Sequence, residues 1–157
     1  MNPSCRKAKL EDLPKIVNLL LEDELGNARE SKAKELDARY IDAFHKIDND
    51  PNQYLMVVEK DDEIIGTCHL TIMPSLTFIG STRMQIEAVR VAAKYRGQKI
   101  GSWMFEKAIS YAKENDASII QLTTNKKRPK AKHFYEQLGF EASHEGMKLY
   151  IYRMDDK

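Results

Sequence analysis

The segment from residue 87 to residue 102 combines residue types that suit phosphate binding. It reads EAVRVAAKYRGQKIGS, in which an apolar strand pattern leads into a short loop and then into a helix pattern. The start of a helix exposes unpaired backbone N–H groups and the positive end of the helix dipole, so it binds phosphate well. Gly97 and Gly101 have no side chain that would keep a diphosphate away from these amides. The guanidinium group of Arg96 could donate two hydrogen bonds to phosphate oxygens. The segment therefore predicts a phosphate-binding loop, although a glycine-containing turn before a helix is also a common packing element.

Glu87 is the first of two residues that could move a proton. The residues around it in the strand pattern are mostly apolar, namely Ile86, Ala88, Val89 and Val91. A buried and unpaired carboxylate is costly, so Glu87 needs a salt bridge, for example with Arg83 or Arg90, or a chemical role. One such role is that of a general base that takes a proton from an amine. The residues alone leave both alternatives open.

Tyr135 is the second such residue, and its hydroxyl could donate a proton to a leaving group. It also belongs to a stripe with the i, i+3, i+4, i+7 spacing of a helix face, formed by Ala131, Phe134, Tyr135 and Leu138. That stripe would pack against a core without any catalysis. His133 lies beside it without a spaced serine or cysteine partner, so we expect it to be a solvated helix residue.

A basic run from residue 126 to residue 132 raises the question of a nucleic-acid partner. It contains Lys126, Lys127, Arg128, Lys130 and Lys132. The whole chain has 25 basic and 24 acidic side chains and a net charge of +1, whereas nucleic-acid-binding domains usually carry a basic excess. Pro129 suits the first turn of a helix. These observations weaken the nucleic-acid interpretation. A phosphorylated small molecule and a solvated helix face stay open as alternatives for this run.

The remaining reactive residues point to no disulfide framework and no metal site. Cys5 and Cys68 are too few and too widely spaced for either, and His45, His69 and His144 are scattered. The N-terminus has no apolar signal region, and no segment approaches 18 apolar residues. We expect a cytoplasmic protein that binds no metal and no membrane.

The hydrophobic patterns predict the elements that must position these residues in a single domain over residues 1–157. Helix patterns cover 13–25, 31–47 (with Ser31 as N-cap), 101–115 and 129–139. Strand patterns cover 53–60, 64–73, 82–91, 118–124 and 147–154, and the segment 4–12 could contain a short opening strand. Early hairpins followed by strand–helix–strand crossovers predict an α/β (α+β) fold with one mixed, twisted sheet and helices on both faces.

Two segments resemble motifs of the GNAT superfamily of acyl-CoA-dependent N-acetyltransferases. RGQKIG at 96–101 is similar to its acyl-CoA-binding motif Q/R-x-x-G-x-G/A, and FYEQLGF at 134–140 follows in the order of that family, as do the predicted elements over nearly the whole chain. Lys99 stands where the middle glycine of the motif is usual. We expect this departure to be mild, because a position at the start of a helix does not require a positive φ.

The resemblance implies an α/β GNAT fold, acetyl-CoA as cosubstrate and roles for individual residues. Glu87 would be the general base and Tyr135 the acid that protonates the thiolate, while an amide of Ala88 or Val89 would polarise the thioester. The fourth strand would pair with the pantetheine, Asn125 would hydrogen-bond to it, and basic residues near it would reach the 3′-phosphate-ADP end. The implied cofactor-binding residues are Val89, Val91, Arg96, Gly97, Gln98, Lys99, Ile100, Gly101, Ser102, Asn125, Arg128 and Lys132.

The function that follows is transfer of an acetyl group to a primary amine of a small molecule or peptide by direct transfer. His69 and Thr71 could face the acceptor, with the segment 72–84 lining its side of the site. The alternatives are a CoA-binding regulatory module without chemistry and, less favoured, a nucleic-acid-binding protein. The acceptor and a homodimeric state are left open by the sequence.

Overall fold

Residues 2–22 and 35–152 are described by the computed structural model, and the chain falls into two compact units, residues 1–121 and 122–157. The single domain that the sequence predicts over residues 1–157 stays a prediction.

The first unit is built on a five-stranded mixed sheet. Its strands are β1 (Ser4–Lys7), β2 (Gln53–Lys60), β3 (Glu63–Met73), β4 (Thr82–Val91) and β5 (Ala117–Gln121), and they are hydrogen-bonded in that order. β1 to β4 pair antiparallel, whereas β5 pairs parallel with β4. A parallel pair needs a crossover connection, and a helix supplies it here. The predicted mixed α/β sheet is confirmed.

Helices cover both faces of this sheet. α1 (Leu13–Leu21) and α2 (Ala38–Asp48) bury one cluster with Val57 of β2. α3 (Ile100–Glu114) packs on the other face, where its Tyr111 ring lies 4.6 Å from the ring of Tyr54. Because neighbouring side chains of a strand point to opposite faces, Tyr54 and Val57 mark the two sides of β2.

An ion-pair cluster fixes the start of α1. Two nitrogens of the Arg6 guanidinium donate to the carboxylate of Asp12, at 2.7 and 2.9 Å, and its Nε donates to Glu59 at 2.7 Å. Asp12 Oδ2 also accepts from the Lys9 N–H at 2.7 Å. The hydrogen bonds from Arg6 hold the pKa of Asp12 below its usual value. This cluster ties β1 and β2 to the turn from which α1 begins.

The second unit contains α4 (Pro129–Gln137) and the helix end that the FYEQLGF segment encodes. Gly139 has φ +103°, and the N–H groups of Gly139 and Phe140 donate to the carbonyls of Glu136 and Tyr135 at 3.0 and 3.1 Å. This is the Schellman arrangement, in which a glycine takes the left-handed position that ends a helix.

Several predicted boundaries and one predicted strand are wrong. α1 ends at Leu21 and α4 at Gln137, before the predicted ends at 25 and 139. α2 begins at Ala38, where Asp37 accepts from the Arg39 N–H at 2.9 Å, and Ser31 lies outside the described residues. β5 ends at Gln121 instead of at residue 124. Residues 147–152 form no strand, and residues 153–154 lie outside the described part. An alternating pattern supplies the side chains of a strand but not the hydrogen-bonding neighbour that a strand also needs.

Candidate active site

β4 extends beyond its parallel partner. The β4–β5 register runs from Thr82↔Ala117 to Gln85↔Gln121, where β5 ends, while β4 continues to Val91. The edge of β4 from Ile86 onward therefore lies past the end of β5 in the first unit. An extended ligand backbone could pair with such an edge as an added strand would. Val89 and Val91, which the resemblance assigns to the pantetheine, lie on this part of β4.

A β-bulge interrupts β4 directly after Glu87. Thr67 pairs with Arg90 and His69 pairs with Glu87, so Ala88 and Val89 together face the single residue Cys68. Ala88 has φ +52°, a left-handed conformation that costs a non-glycine residue about 1–2 kcal/mol. Bulges often lie next to active sites, where they redirect a strand. This bulge could not be predicted from the sequence, because an alanine does not mark a left-handed position.

Glu87 and His69 form a cross-strand pair at this bulge. Glu87 is exposed, whereas His69 is half-buried. Burial lowers the pKa of His69, and the nearby Glu87 carboxylate raises it by a smaller amount, so that the net shift is downward from 6.5. The downward shift of this pKa favours the neutral form of His69.

A hydrogen-bond chain fixes the tautomer of His69. Gln53 Nε2 donates to Asp50 Oδ2 at 3.0 Å, which orients the amide so that Gln53 Oε1 faces His69 Nε2 at 2.7 Å. Because Oε1 can only accept, Nε2 carries the proton, and Nδ1 of the neutral ring has a lone pair. The sequence suggests His69 as a residue that could face the acceptor, but its link to Gln53 and Asp50 becomes visible only in the fold.

The two arginines considered as partners of Glu87 have other contacts. Arg83 donates to Gln121 Oε1 at 3.1 Å and to Thr77 Oγ1 at 2.8 Å, and its guanidinium lies 5.5 Å from the Phe78 ring centre. Arg90 is buried and donates from Nη1 to the Val89 carbonyl at 2.8 Å. The Glu87 carboxylate itself is exposed. Its position therefore fits both a general base and an ordinary surface residue, and a measurement of activity must decide between them.

The loop after β4 carries the predicted phosphate-binding residues. A short 3₁₀ turn at Ala93–Tyr95 precedes Arg96, whose Nε donates to the Val91 carbonyl at 3.2 Å. Gly97 has φ +79°, and a Cβ added there would meet no described atom within 4 Å. Arg96, Gly97, Gln98 and Lys99 are all exposed. Space for a ligand is thus present beside the loop backbone.

Lys99 corrects one expectation about this loop. It is the N-cap of α3, with φ +63° and ψ +17°, rather than a helical residue. The position therefore does require a positive φ, and the departure from glycine is not mild, because it places a lysine in a conformation that favours glycine.

The N-terminus of α3 and its surroundings suit an anionic ligand. Trp103 N–H donates to the Lys99 carbonyl at 3.1 Å, so the amides of Ile100, Gly101 and Ser102 precede the first helical hydrogen bond. No acidic residue occurs in the sequence from 88 to 105. The side chains and amides of the loop therefore fit the diphosphate of an acyl-CoA in charge and in available room.

Hydrogen bonds and an ion pair hold the first residues of this loop, Ala93 to Tyr95, in place. Lys94 Nζ lies 3.0 Å from Glu63 Oε1, and the Tyr95 hydroxyl donates to Glu63 Oε2 at 3.1 Å. The Ala93 N–H donates to Glu22 Oε2 at 3.0 Å. These carboxylates anchor the start of the loop to α1 and β3.

The second unit holds the other predicted site residues. Asn125 Oδ1 accepts from the Lys127 N–H, and the Asn125 carbonyl accepts from the Arg128 N–H, both at 2.9 Å, in a turn that leads into α4. Arg128 is half-buried and Lys132 is exposed. Because these residues belong to the second unit, their meeting with the α3 N-terminus at one site stays a prediction.

Tyr135 is half-buried in an aromatic cluster of the second unit. Its ring centre lies 5.5 Å from that of Phe134 and 6.1 Å from that of Phe140. The predicted stripe on α4 is half-buried rather than buried. His133 is exposed, as expected for a solvated helix residue.

Cys68 lacks the surroundings of a reactive thiol. It is 1% exposed, its Sγ lies 3.9 Å from Met56 Sδ, and burial raises its pKa to about 12. A thiol with this pKa is almost entirely protonated at pH 7, so it is a poor nucleophile.

Residues 2–22 and 35–152 contain no group of three or more His, Cys, Asp and Glu side chains that could hold a metal ion. The helices described there are also too short or too polar to cross a membrane.

The fold and the loop after β4 define an acyltransferase type of architecture, and comparison with known proteins identifies the family. Residues 13–140 match the model of the Acetyltransferase (GNAT) family, and the chain belongs to this family. An aminoalkylphosphonate N-acetyltransferase of Salmonella typhimurium is 33% identical over 98 residues, which cover 60% of this chain and 61% of that protein. The chain spans about three fifths of the length of the curated relatives that it matches.

Solved structures support the same fold. A protein from Bacillus halodurans C-125, described as a transcriptional regulator, is 45% identical, with a TM-score of 0.92 over 96% of this chain and 100% of that chain. A protein from Clostridium acetobutylicum, described as a "predicted acetyltransferase with acetyl-CoA", has a TM-score of 0.75 at 20% identity over 96% of this chain and 97% of that chain. The second likeness bears on the fold alone. The GNAT fold implied by the sequence is confirmed.

Proposed function

We propose that this chain transfers the acetyl group of acetyl-CoA to a primary amine of a small molecule or peptide, by direct transfer. The observation that carries this proposal is the exposed carboxylate of Glu87 beside the left-handed bulge at Ala88, on the part of β4 that extends beyond β5. An acceptor amine and an extended ligand on the β4 edge could meet there.

The loop after β4 and the start of α3 bind the diphosphate of CoA in this proposal. The first amides of α3 are donors, and Arg96 and Lys99 add positive charge. Membership of the GNAT acetyltransferase family favours this ligand. In the second unit we assign Asn125 to the pantetheine, and Arg128 and Lys132 to the 3′-phosphate-ADP end.

The reaction removes two protons from the ammonium form of the acceptor and exchanges a C–S bond for a C–N bond. Glu87 takes the first proton, and the neutral nitrogen attacks the thioester carbonyl. The second proton leaves the nitrogen as the amide forms, and it replaces through solvent the proton that Tyr135 gives to the thiolate. An N–H at the bulge, from Ala88 or Val89, donates to the oxygen that becomes negative. The C–N bond forms, the C–S bond breaks, and the Tyr135 hydroxyl protonates the thiolate. The high pKa of Cys68 favours this direct route over an acylated cysteine.

The test is a screen of primary amines with acetyl-CoA, monitored by the release of free thiol and by mass spectrometry of the acetylated product. We expect release that depends on both substrates. Thiol release at the same rate with and without every amine would contradict N-acetyl transfer.

A regulatory module that binds CoA without chemistry is the second candidate. The description of the Bacillus halodurans neighbour as a transcriptional regulator favours considering it. Binding of acetyl-CoA by calorimetry, together with no acetylated product from a broad amine screen, would select this alternative.

A further inference from the structure

An apolar cavity lies between α1, α2 and the sheet in the first unit. Its volume is about 140 Å³. Leu13, Ile16 and Val17 of α1 line it, with Ala43 and Phe44 of α2 opposite. An engineered apolar cavity of about 150 Å³ is large enough to hold benzene. The present cavity therefore has room for a phenyl ring or a branched alkyl group.

The cavity lies next to the proposed base. Its lining on the sheet side includes His69 and Ala88. His69 is the cross-strand partner of Glu87, and Ala88 follows Glu87 in the chain. Because cross-strand partners point to the same face of a sheet, Glu87 belongs to the face that α1 and α2 cover. An amine bound at Glu87 would thus have its substituent beside the cavity.

The described lining of the cavity offers no charged side chain that could form an ion pair with a charged substituent. Among the described residues that form it there is no Lys, Arg, Asp or Glu. The Thr67 hydroxyl already donates to the Met56 carbonyl at 2.8 Å, and His69 Nε2 donates to Gln53. A second ammonium, a carboxylate or a phosphonate would lose its hydration there without an ion pair in return, whereas an apolar group would gain by leaving water.

We infer that this cavity is the specificity pocket of the acceptor site, and that the acceptor is a primary amine whose substituent is compact and apolar. This inference rests on the proposed function, because it names the substrate class of the same site. This acceptor preference would differ from that of an enzyme whose amine substrates carry phosphonate, sugar or further amino groups.

The first test compares two amines of similar basicity, benzylamine and ethanolamine, with acetyl-CoA. We expect kcat/KM for benzylamine to exceed that for ethanolamine by about 10- to 100-fold, the range expected for burying one apolar side group. Equal values for the two amines would overturn the inference while leaving acetyl transfer intact.

A matched pair of variants tests whether the cavity is the cause of this preference. Ala43 is an exposed residue of α2 that lines the cavity, and Ala38 is an exposed residue of the same helix outside it. Ala43→Leu fills the cavity with a good helix former, so the ratio of benzylamine to ethanolamine activity should fall about tenfold. Ala38→Leu makes the same change outside the cavity and should keep the wild-type ratio. Equal ratios in both variants would mean that the cavity is a packing void only.

A binding measurement separates this inference from the proposed function. Calorimetric titration of CoA-saturated protein with benzylamine should give binding that Ala43→Leu weakens about tenfold and Ala38→Leu does not. If that result comes without any acetylated product, the pocket stands and the proposed activity fails. If benzylamine does not bind to the wild-type protein, the pocket fails whatever the activity.

Discussion

Glu87 and His69 stand opposite each other on β4 and β3, one residue before the left-handed bulge at Ala88. The two side chains differ in their environment, because Glu87 is exposed while His69 is half-buried and has a lowered pKa that favours its neutral form. The pair therefore presents one negative charge, which suits an incoming ammonium group. The apolar cavity beside it suits the group that the ammonium carries.

Gly101→Asp tests the binding of the diphosphate. An aspartate in the first turn of a helix is compatible with the helix dipole, so the variant should fold. We expect acetyl-CoA to raise the melting temperature of the wild-type protein, because a ligand that binds only the native state stabilises it. The carboxylate of the variant would repel the diphosphate, so this increase should disappear. The neutral and nearly isosteric Gly101→Asn should keep part of that increase. An unchanged affinity of Gly101→Asp for acetyl-CoA, measured by calorimetry, would place the diphosphate elsewhere.

Lys99→Gly tests the strain at the N-cap of α3. Removing the strain of a left-handed lysine raises the free energy of unfolding by about 1–2 kcal/mol. The greater freedom of glycine in the unfolded chain lowers it by about 0.4–1 kcal/mol. We expect a net gain of about 0.5 kcal/mol in the free energy of unfolding, measured by urea denaturation. The control Gly97→Ala, at φ +79°, should instead lose about 1 kcal/mol. A clear loss of stability in Lys99→Gly would argue against strain at this residue.

The sequence predicts most of the frame around this site and misses its backbone irregularities. β4 is found at the predicted residues 82–91, because alternation and β-branched residues are local signals. The bulge at Ala88 and the left-handed Lys99 are missed, because neither residue type signals a positive φ. The link of His69 to Gln53 and Asp50 depends on the register between β2 and β3, which is not a local property of either strand.

Asp12→Asn tests the cluster that fixes the start of α1. The change keeps the shape but removes the charge that binds Arg6, and a hydrogen bond to a charged group contributes about 1.5–3 kcal/mol. We expect a loss of about 2 kcal/mol at pH 7 by urea denaturation. The pKa of Asp12 is lowered in the folded state, so this contribution is complete above a pH of about 4 and is lost as the pH falls through the folded pKa. A stability difference that stays constant down to a pH of about 2 would contradict this assignment.

Tyr135→Phe separates catalysis from packing. The variant keeps the ring that packs near Phe134 and Phe140 and loses only the hydroxyl. If the hydroxyl protonates the thiolate, kcat should fall about 100-fold while the melting temperature and the affinity for acetyl-CoA change little. Phe134→Leu is the control for packing and should affect stability more than turnover. Full activity in Tyr135→Phe would assign the tyrosine to packing alone.

The most direct test of the account is the pH profile of amine-dependent CoA release by the wild-type protein and by Glu87→Gln. The glutamine keeps the shape of the side chain and removes the base. As long as the pH stays below the amine pKa of about 10.4, the neutral fraction of the amine rises roughly tenfold for each unit by which the pH increases. We therefore predict that Glu87→Gln is slow at pH about 7 and recovers progressively toward pH about 9, while the wild-type rate rises less steeply. Identical profiles for the two proteins would contradict the assignment of Glu87 as the base.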